Sequence, residues 1–149
     1  MDFKAIKEPW NIYELADGTT LKTRFILTKV LVDGLDMAKS PVYSVNSQNV
    51  VGAFAREERL GEPSKRGYTP QERIDAIEEE VEFTTKKEEW NVYEFSDGTT
   101  ARIKLVLTSV ARTSLFDSNG EPIYLINAQP IFSGSIPKET RQKYAAELD

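Results

Sequence analysis

One segment of this chain occurs twice, and that bounds the fold more tightly than any motif within it. Residues 10–30 match residues 90–110 at an offset of 80, with eleven of 21 positions identical. Average residue usage would leave about one identity by chance. The identities are Trp10/Trp90, Asn11/Asn91, Tyr13/Tyr93, Glu14/Glu94, Asp17/Asp97, Gly18/Gly98, Thr19/Thr99, Thr20/Thr100, Leu27/Leu107, Thr28/Thr108 and Val30/Val110. After a loop one residue longer in the second copy, residues 41–48 align with 122–129 at an offset of 81. The copies span residues 7–56 and 87–134.

Each copy reads as three strands. The first runs over 10–16 (90–96), and Asp17-Gly18 (Asp97-Gly98) turns it back, because Gly takes a positive φ without cost. The second covers 19–32 (99–112) and is rich in β-branched residues. A loop over 33–40 (113–121) leads to the third, 42–54 (123–132). In the second copy that loop carries the turn signal Asp117-Ser118-Asn119-Gly120. If the hairpin turn holds Gly18 as a bulge, Tyr13 pairs with Leu21 and Ile12 with Lys22. Tyr13, Leu15, Leu21, Phe25 and Leu27 then share one apolar face, matched by Tyr93, Phe95, Ala101, Ile103, Leu105 and Leu107. A one-residue slip would scatter these residues over both faces, so the bulge is the preferred register.

A helix is expected after each copy. Thr69-Pro70-Gln71-Glu72 carries a capping-box pattern with Pro at the first helical position. Ile74, Ile77 and Val81 would form the apolar stripe of the following helix, with Glu78, Glu79, Glu80 and Glu82 as its acidic end. Pro137-Lys138-Glu139 opens a second helix, on which Tyr144 and Leu148 share a face. Residues 57–68, with Gly61, Pro63, Ser64 and Gly67, read as a mobile surface loop peculiar to the first copy.

The expected fold is therefore mainly β (α+β), a single compact domain over 1–149. It consists of two tandem βββα repeats about a pseudo-two-fold axis, with a loop and acidic helix over 57–86 and a C-terminal helix over 135–149. A six-stranded antiparallel barrel with two peripheral helices ranks ahead of a two-sheet sandwich, because closure removes sheet edges.

Composition narrows the chemistry. The chain has no Cys and no His, which removes disulfides, thiol nucleophiles, the usual zinc ligands and the commonest general base near neutral pH. No cofactor or metal motif stands out, and the reading leans away from an enzyme. The net charge of −5 is local: residues 57–89 hold eleven acids and six bases, whereas the other 116 hold thirteen of each. That disfavours a nucleic-acid partner and leaves a protein partner or self-association as the expectation. No apolar run reaches membrane-spanning length and the N-terminus lacks a signal-peptide layout, so a cytoplasmic location without a membrane partner is expected.

Two recurring groups are candidate binding residues. Lys22 and Arg24, with Arg102 and Lys104, each lie two apart on a strand beside Trp10 or Trp90. Such a surface suits phosphate and stacked rings, although Trp packed over cationic stems is the simpler reading. Asn46-x-Gln48 and Asn127-x-Gln129 place two amides on one side of the third strand, able to bind a ligand or to serve an internal polar ladder. Asp17 and Asp97 would form a carboxylate pair if the hairpin tips met, but turn chemistry accounts for both. A pocket at the pseudo-two-fold axis, resting on Tyr13/Tyr93, Tyr43/Tyr124 and the amides, is the carrier or enzyme alternative. A structural subunit joined through Trp10/Trp90 or a strand edge is the third.

Overall fold

The computed structural model describes residues 1–148. The chain runs β1 (Phe3–Lys7), β2 (Asn11–Leu15), β3 (Thr20–Leu35), β4 (Pro41–Phe54), α1 (Pro70–Asp75), β5 (Ile77–Glu80), β6 (Phe83–Lys87), β7 (Asn91–Phe95), β8 (Thr100–Phe116), β9 (Pro122–Ser135) and α2 (Lys138–Leu148), with a short 3-10 turn at Glu57–Arg59. The fold is mainly β. Two antiparallel sheets are built in the orders β4-β3-β2-β6 and β1-β7-β8, with β9 and β5 also paired to β8. Among the described residues no barrel closes, so the barrel expectation is corrected to two antiparallel sheets that share core residues. Each long strand pairs through its whole length with a neighbour that ends the sheet, so β4 and β9 remain edges.

The hairpins take the bulged register. Tyr13 pairs with Leu21 and Ile12 with Lys22, and Gly18 sits at φ +89°. Tyr93 pairs with Ala101, and Gly98 has φ +91°. The alternation then buries Tyr13, Leu15, Leu21, Phe25 and Leu27 on one side, and Tyr93, Phe95, Ile103, Leu105 and Leu107 on the other. Both long strands carry a further register break, at Leu27/Lys29 and Leu107/Ser109. Such a bulge bends the strand. At the start of β3, Leu21 packs with Tyr13 and Leu15 of its own hairpin, while Phe25, Leu27 and Val30 further along join Tyr93, Phe95, Ile103 and Leu105 in one core cluster. Leu107 and Val110 reach the other way, to Tyr13, Leu15 and Leu21.

The short strands exchange partners. β1 pairs with β7, and β6 pairs with β2. Phe3 meets the edge of Tyr93, and Phe83 meets the edge of Tyr13, at 6.0 and 5.8 Å between centroids. Neither strand lies within the three expected per copy, because the identities before Trp10 and Trp90 are scattered. Phe3/Phe83, Lys7/Lys87 and Glu8/Glu88 in fact recur at the same offset of 80.

Two further expectations are corrected. The capping box forms as read: the Thr69 hydroxyl accepts from the Glu72 N–H while the Glu72 carboxylate accepts from the Thr69 N–H. The helix, however, stops at Asp75, and residues 77–80 are strand β5, paired to β8. Val81 is drawn into the core, its N–H on the Val110 carbonyl, and this tertiary burial overrides the helical spacing. The acidic helix end is therefore a strand, and Arg112 binds Glu79 at 2.6 Å and lies 3.8 Å from Glu78. Residues 57–68 are not a free loop. The Gly61 N–H donates to the Gly120 carbonyl, the Ser64 N–H to the Asp117 carbonyl, and Arg66 pairs with Glu72. A Cβ at Gly61 would meet the Phe116 ring at 2.5 Å, so the insert packs closely against the end of β8 and the turn that follows it. Among the described residues no helix is long and apolar enough to cross a membrane.

Candidate functional site

The predicted residues gather on the outer faces of the sheets. Trp10 lies under the Arg24 guanidinium at 5.7 Å, and Trp90 takes both Arg102 at 5.1 Å and Lys104 at 5.6 Å. Lys22 reaches the Phe54 ring at 5.4 Å, and the Arg24 Nε donates to the Glu8 carbonyl. These cations therefore stack on their own aromatics. Gln48 stands opposite Ile26 and Val50 opposite Arg24, which puts Asn46 and Gln48 on the outer face that carries Trp10, Lys22 and Arg24. In the second half Gln129 stands opposite Val106 and Ile131 opposite Lys104, so Asn127 and Gln129 share the face of Trp90. The Asn127 amide donates to the Ser109 hydroxyl. The structure thus merges the cation and amide groups within each half but separates the halves, because the two outer faces belong to different sheets.

The four recurring tyrosines all end on carboxylates. Tyr13 donates to Glu88 at 2.6 Å and Tyr93 to Glu8 at 2.7 Å. The same Glu8 oxygen accepts from the Leu27 N–H, and the same Glu88 oxygen from the Leu107 N–H at 3.4 Å. Asn11 donates to the Leu105 carbonyl and Asn91 to the Phe25 carbonyl. These side chains satisfy the backbone of the long strands beyond the short hairpin partners, Glu8 and Glu88 within their own half and Asn11 and Asn91 from the other half. Glu8 and Glu88 escaped the sequence reading, although their recurrence at the common offset was the signal.

Asp17 and Asp97 have separate partner sets and do not form a carboxylate pair. Asp17 accepts from Tyr124 at 2.6 Å, from Arg112 at 3.1 Å and from the Thr19 N–H. Asp97 accepts from Tyr43, from Tyr144 of α2 at 2.9 Å and from the Thr99 N–H. Burial alone would raise both carboxyls, but these donors outweigh it and hold each below the usual range. Burial, followed by the adjoining carboxylate, pushes Tyr43 upward and Tyr124 up to about 12.

At one end of the second half the sheets part. A cleft of about 520 Å³ opens between the start of β4 and the far end of β9. Tyr43, Val45, Phe95, Ala101, Ile103 and Phe132 give it a mainly apolar wall, and Gly134 and Ile136 complete the rim. Ala101 and Gly134 pair across β8 and β9, as Leu21 and Ala53 do across β3 and β4. Leu21 is fully buried in its own core cluster, with Ala53 packed against it. Each larger residue thus has a smaller counterpart where the cleft lies. A Cβ at Gly134 would come within 2.9 Å of the Thr100 carbonyl oxygen, so glycine also serves close strand approach here. The sequence signal for this cleft is a departure from the repeat, small residues at 101 and 134 where the first copy has Leu21 and Ala53.

Comparison with protein-family models, with curated proteins and with solved structures finds no match.

Proposed function

We propose that the chain is a non-catalytic binding module that holds a small lipophilic molecule in the cleft between β4 and β9. The observation that carries this reading is the substitution of Ala101 and Gly134 for Leu21 and Ala53, which leaves open a volume of about 520 Å³. That volume lies within the roughly 300–1,000 Å³ of small-molecule pockets. A mostly apolar wall favours a ligand of the same character through the hydrophobic effect.

Binding fits the polar groups better than proton transfer does. The Tyr43 and Thr99 hydroxyls at the cleft already bond each other, and Tyr43 also donates to Asp97. A phenol pushed upward by burial and a neighbouring carboxylate is a poor acid near neutral pH, and a carboxylate held low is a poor base. The outer Trp–cation faces, Trp10 with Arg24 and Trp90 with Arg102 and Lys104, fit the role of packed, solvated surfaces, since each cation stacks on an aromatic of its own sheet.

Titration with the neutral fluorophore N-phenyl-1-naphthylamine tests the proposal. The wild-type chain is expected to give saturable fluorescence enhancement. Ala101→Leu, which restores the first-half residue, is expected to weaken binding at least about tenfold, equivalent to about 1.4 kcal/mol. Gln48→Ala on the outer face should leave it unchanged. Absence of saturable binding by the wild type, or equal binding by Ala101→Leu, overturns the reading.

A further inference from the structure

We infer that the chain self-associates through the free edge of β4, strand against strand, about a two-fold axis at Ser47. This rests on observations separate from the cleft. β4 runs for 14 residues, and among the described residues its only hydrogen-bonded strand neighbour is β3. Its other edge presents a row of backbone donors and acceptors. Residues 46–51 are exposed without a break, so neither face of this stretch is covered. Val50 and Val51 are among the exposed apolar side chains there.

Charge selects the occupant. The chain is 29% charged and carries a net −5, yet no charged residue occurs between Pro41 and Phe54. Native edges are ordinarily blunted by lysine, proline or a bulge within the strand. β4 has no charge and no proline after its first residue. An uncharged edge lets two like-charged copies approach without direct repulsion. β9 is equally uncharged but has Pro130 at the position of Asn49, which removes one backbone donor from that strand. The unblunted edge is therefore β4.

The side-chain pattern fits a second copy. Antiparallel pairing of β4 with itself about Ser47 sets Asn46 opposite Gln48 of the second copy, and Gln48 opposite its Asn46. Each amide offers both donor and acceptor, so the two pairs are mutually complementary. Among the described residues neither of these amides has a hydrogen-bond partner within the chain. The same register sets Ser44 opposite Val50 and Tyr43 opposite Val51. An isologous contact of this kind closes after two copies. It also accounts for the Asn-x-Gln motif of the first half, for which the fold offers no internal role.

The test uses the intact chain and its molar mass by light scattering on a sizing column. Wild type is expected at twice 16.9 kDa. Ser47→Lys and Ser47→Glu each place like charges directly opposite at the axis, so both are expected to run as monomers with unchanged circular dichroism. An equimolar mixture of the two is expected to dimerise again, which misfolded chains could not do. Ala128→Lys, the corresponding position on β9, is expected to remain a dimer. A monomeric wild type, a dimeric Ser47→Lys, a mixture that fails to recombine, a monomeric Ala128→Lys or growth beyond two copies each overturns the inference. The last two would assign the contact to β9.

Discussion

A carboxylate that takes a tyrosine hydroxyl and a backbone N–H on one oxygen joins two elements through a single side chain. Glu8 does this for Tyr93 and β3, and Glu88 for Tyr13 and β8. Truncating either leaves a buried phenol O–H without its carboxylate acceptor and a strand N–H without its side-chain partner, although the Tyr93 oxygen still accepts from the Asn91 amide. Each such group costs about 1–3 kcal/mol when left unsatisfied. Urea denaturation is therefore expected to show Glu8→Ala destabilised by about 2–4 kcal/mol, and Glu88→Ala by somewhat less because its contact to the Leu107 N–H is longer. Adding Tyr93→Phe to Glu8→Ala should cost less than Tyr93→Phe alone, since one orphaned group then disappears. Additive costs would show that the hydroxyl does not depend on Glu8. At this scale the sequence was informative where a residue's role is local. Asp17 and Gly18 declared their turn, and Tyr13, Leu21 and Phe25 declared their face. Glu8 and Glu88 did not, because a charged residue on a connector gives no hint that its partners lie 85 and 75 positions away.

The long strands and their hairpins were legible because alternation and turn chemistry agree over many residues. The segment after α1 was not. Ile74, Ile77 and Val81 carry a helical spacing, and only the burial of Val81 beneath β8 decides for strand. The cleft was hidden for a different reason: a small residue within an apolar alternation reads as ordinary core until its counterpart is set beside it. The paired positions make opposite predictions. Leu21→Ala removes a fully buried side chain from a filled core and is expected to cost about 2–5 kcal/mol. Ala101→Leu adds side chain to an open cleft and is expected to leave stability unchanged or raise it by about 1 kcal/mol. Thermal denaturation of the two variants checks both. A large loss with Ala101→Leu would mean that the cleft walls are too close to accept the side chain and would remove the volume argument for a ligand.

Taken as one molecule, the two halves hold each other through hydrogen bonds that depend on protonation. The Asp17 and Asp97 carboxyls lie below their usual range, so the native state favours their charged form. Their contribution is complete above the unfolded value near about 4 and is lost as pH falls through the folded value. The tyrosines act at the other limit. Burial first, and then the neighbouring carboxylate, raises Tyr13, Tyr43, Tyr124 and Tyr144, with Tyr124 and Tyr144 at about 12. Tyr93 is raised by burial first, with Glu8 adding to the rise. The native state holds these protons after the unfolded chain has released them, so stability falls as pH rises from about 10 towards the folded values. The melting temperature is therefore expected to be level from about pH 5 to 9, declining on both sides. Tyr124→Phe separates this from general charge repulsion. It removes one raised phenol and the leading donor to Asp17 together, with a loss at neutral pH of about 1–2 kcal/mol. The variant's melting temperature should then decline less steeply than wild type below pH 4 and above pH 10. Limbs of unchanged slope would show that the coupling of Tyr124 to Asp17 does not set the acid and alkaline limits.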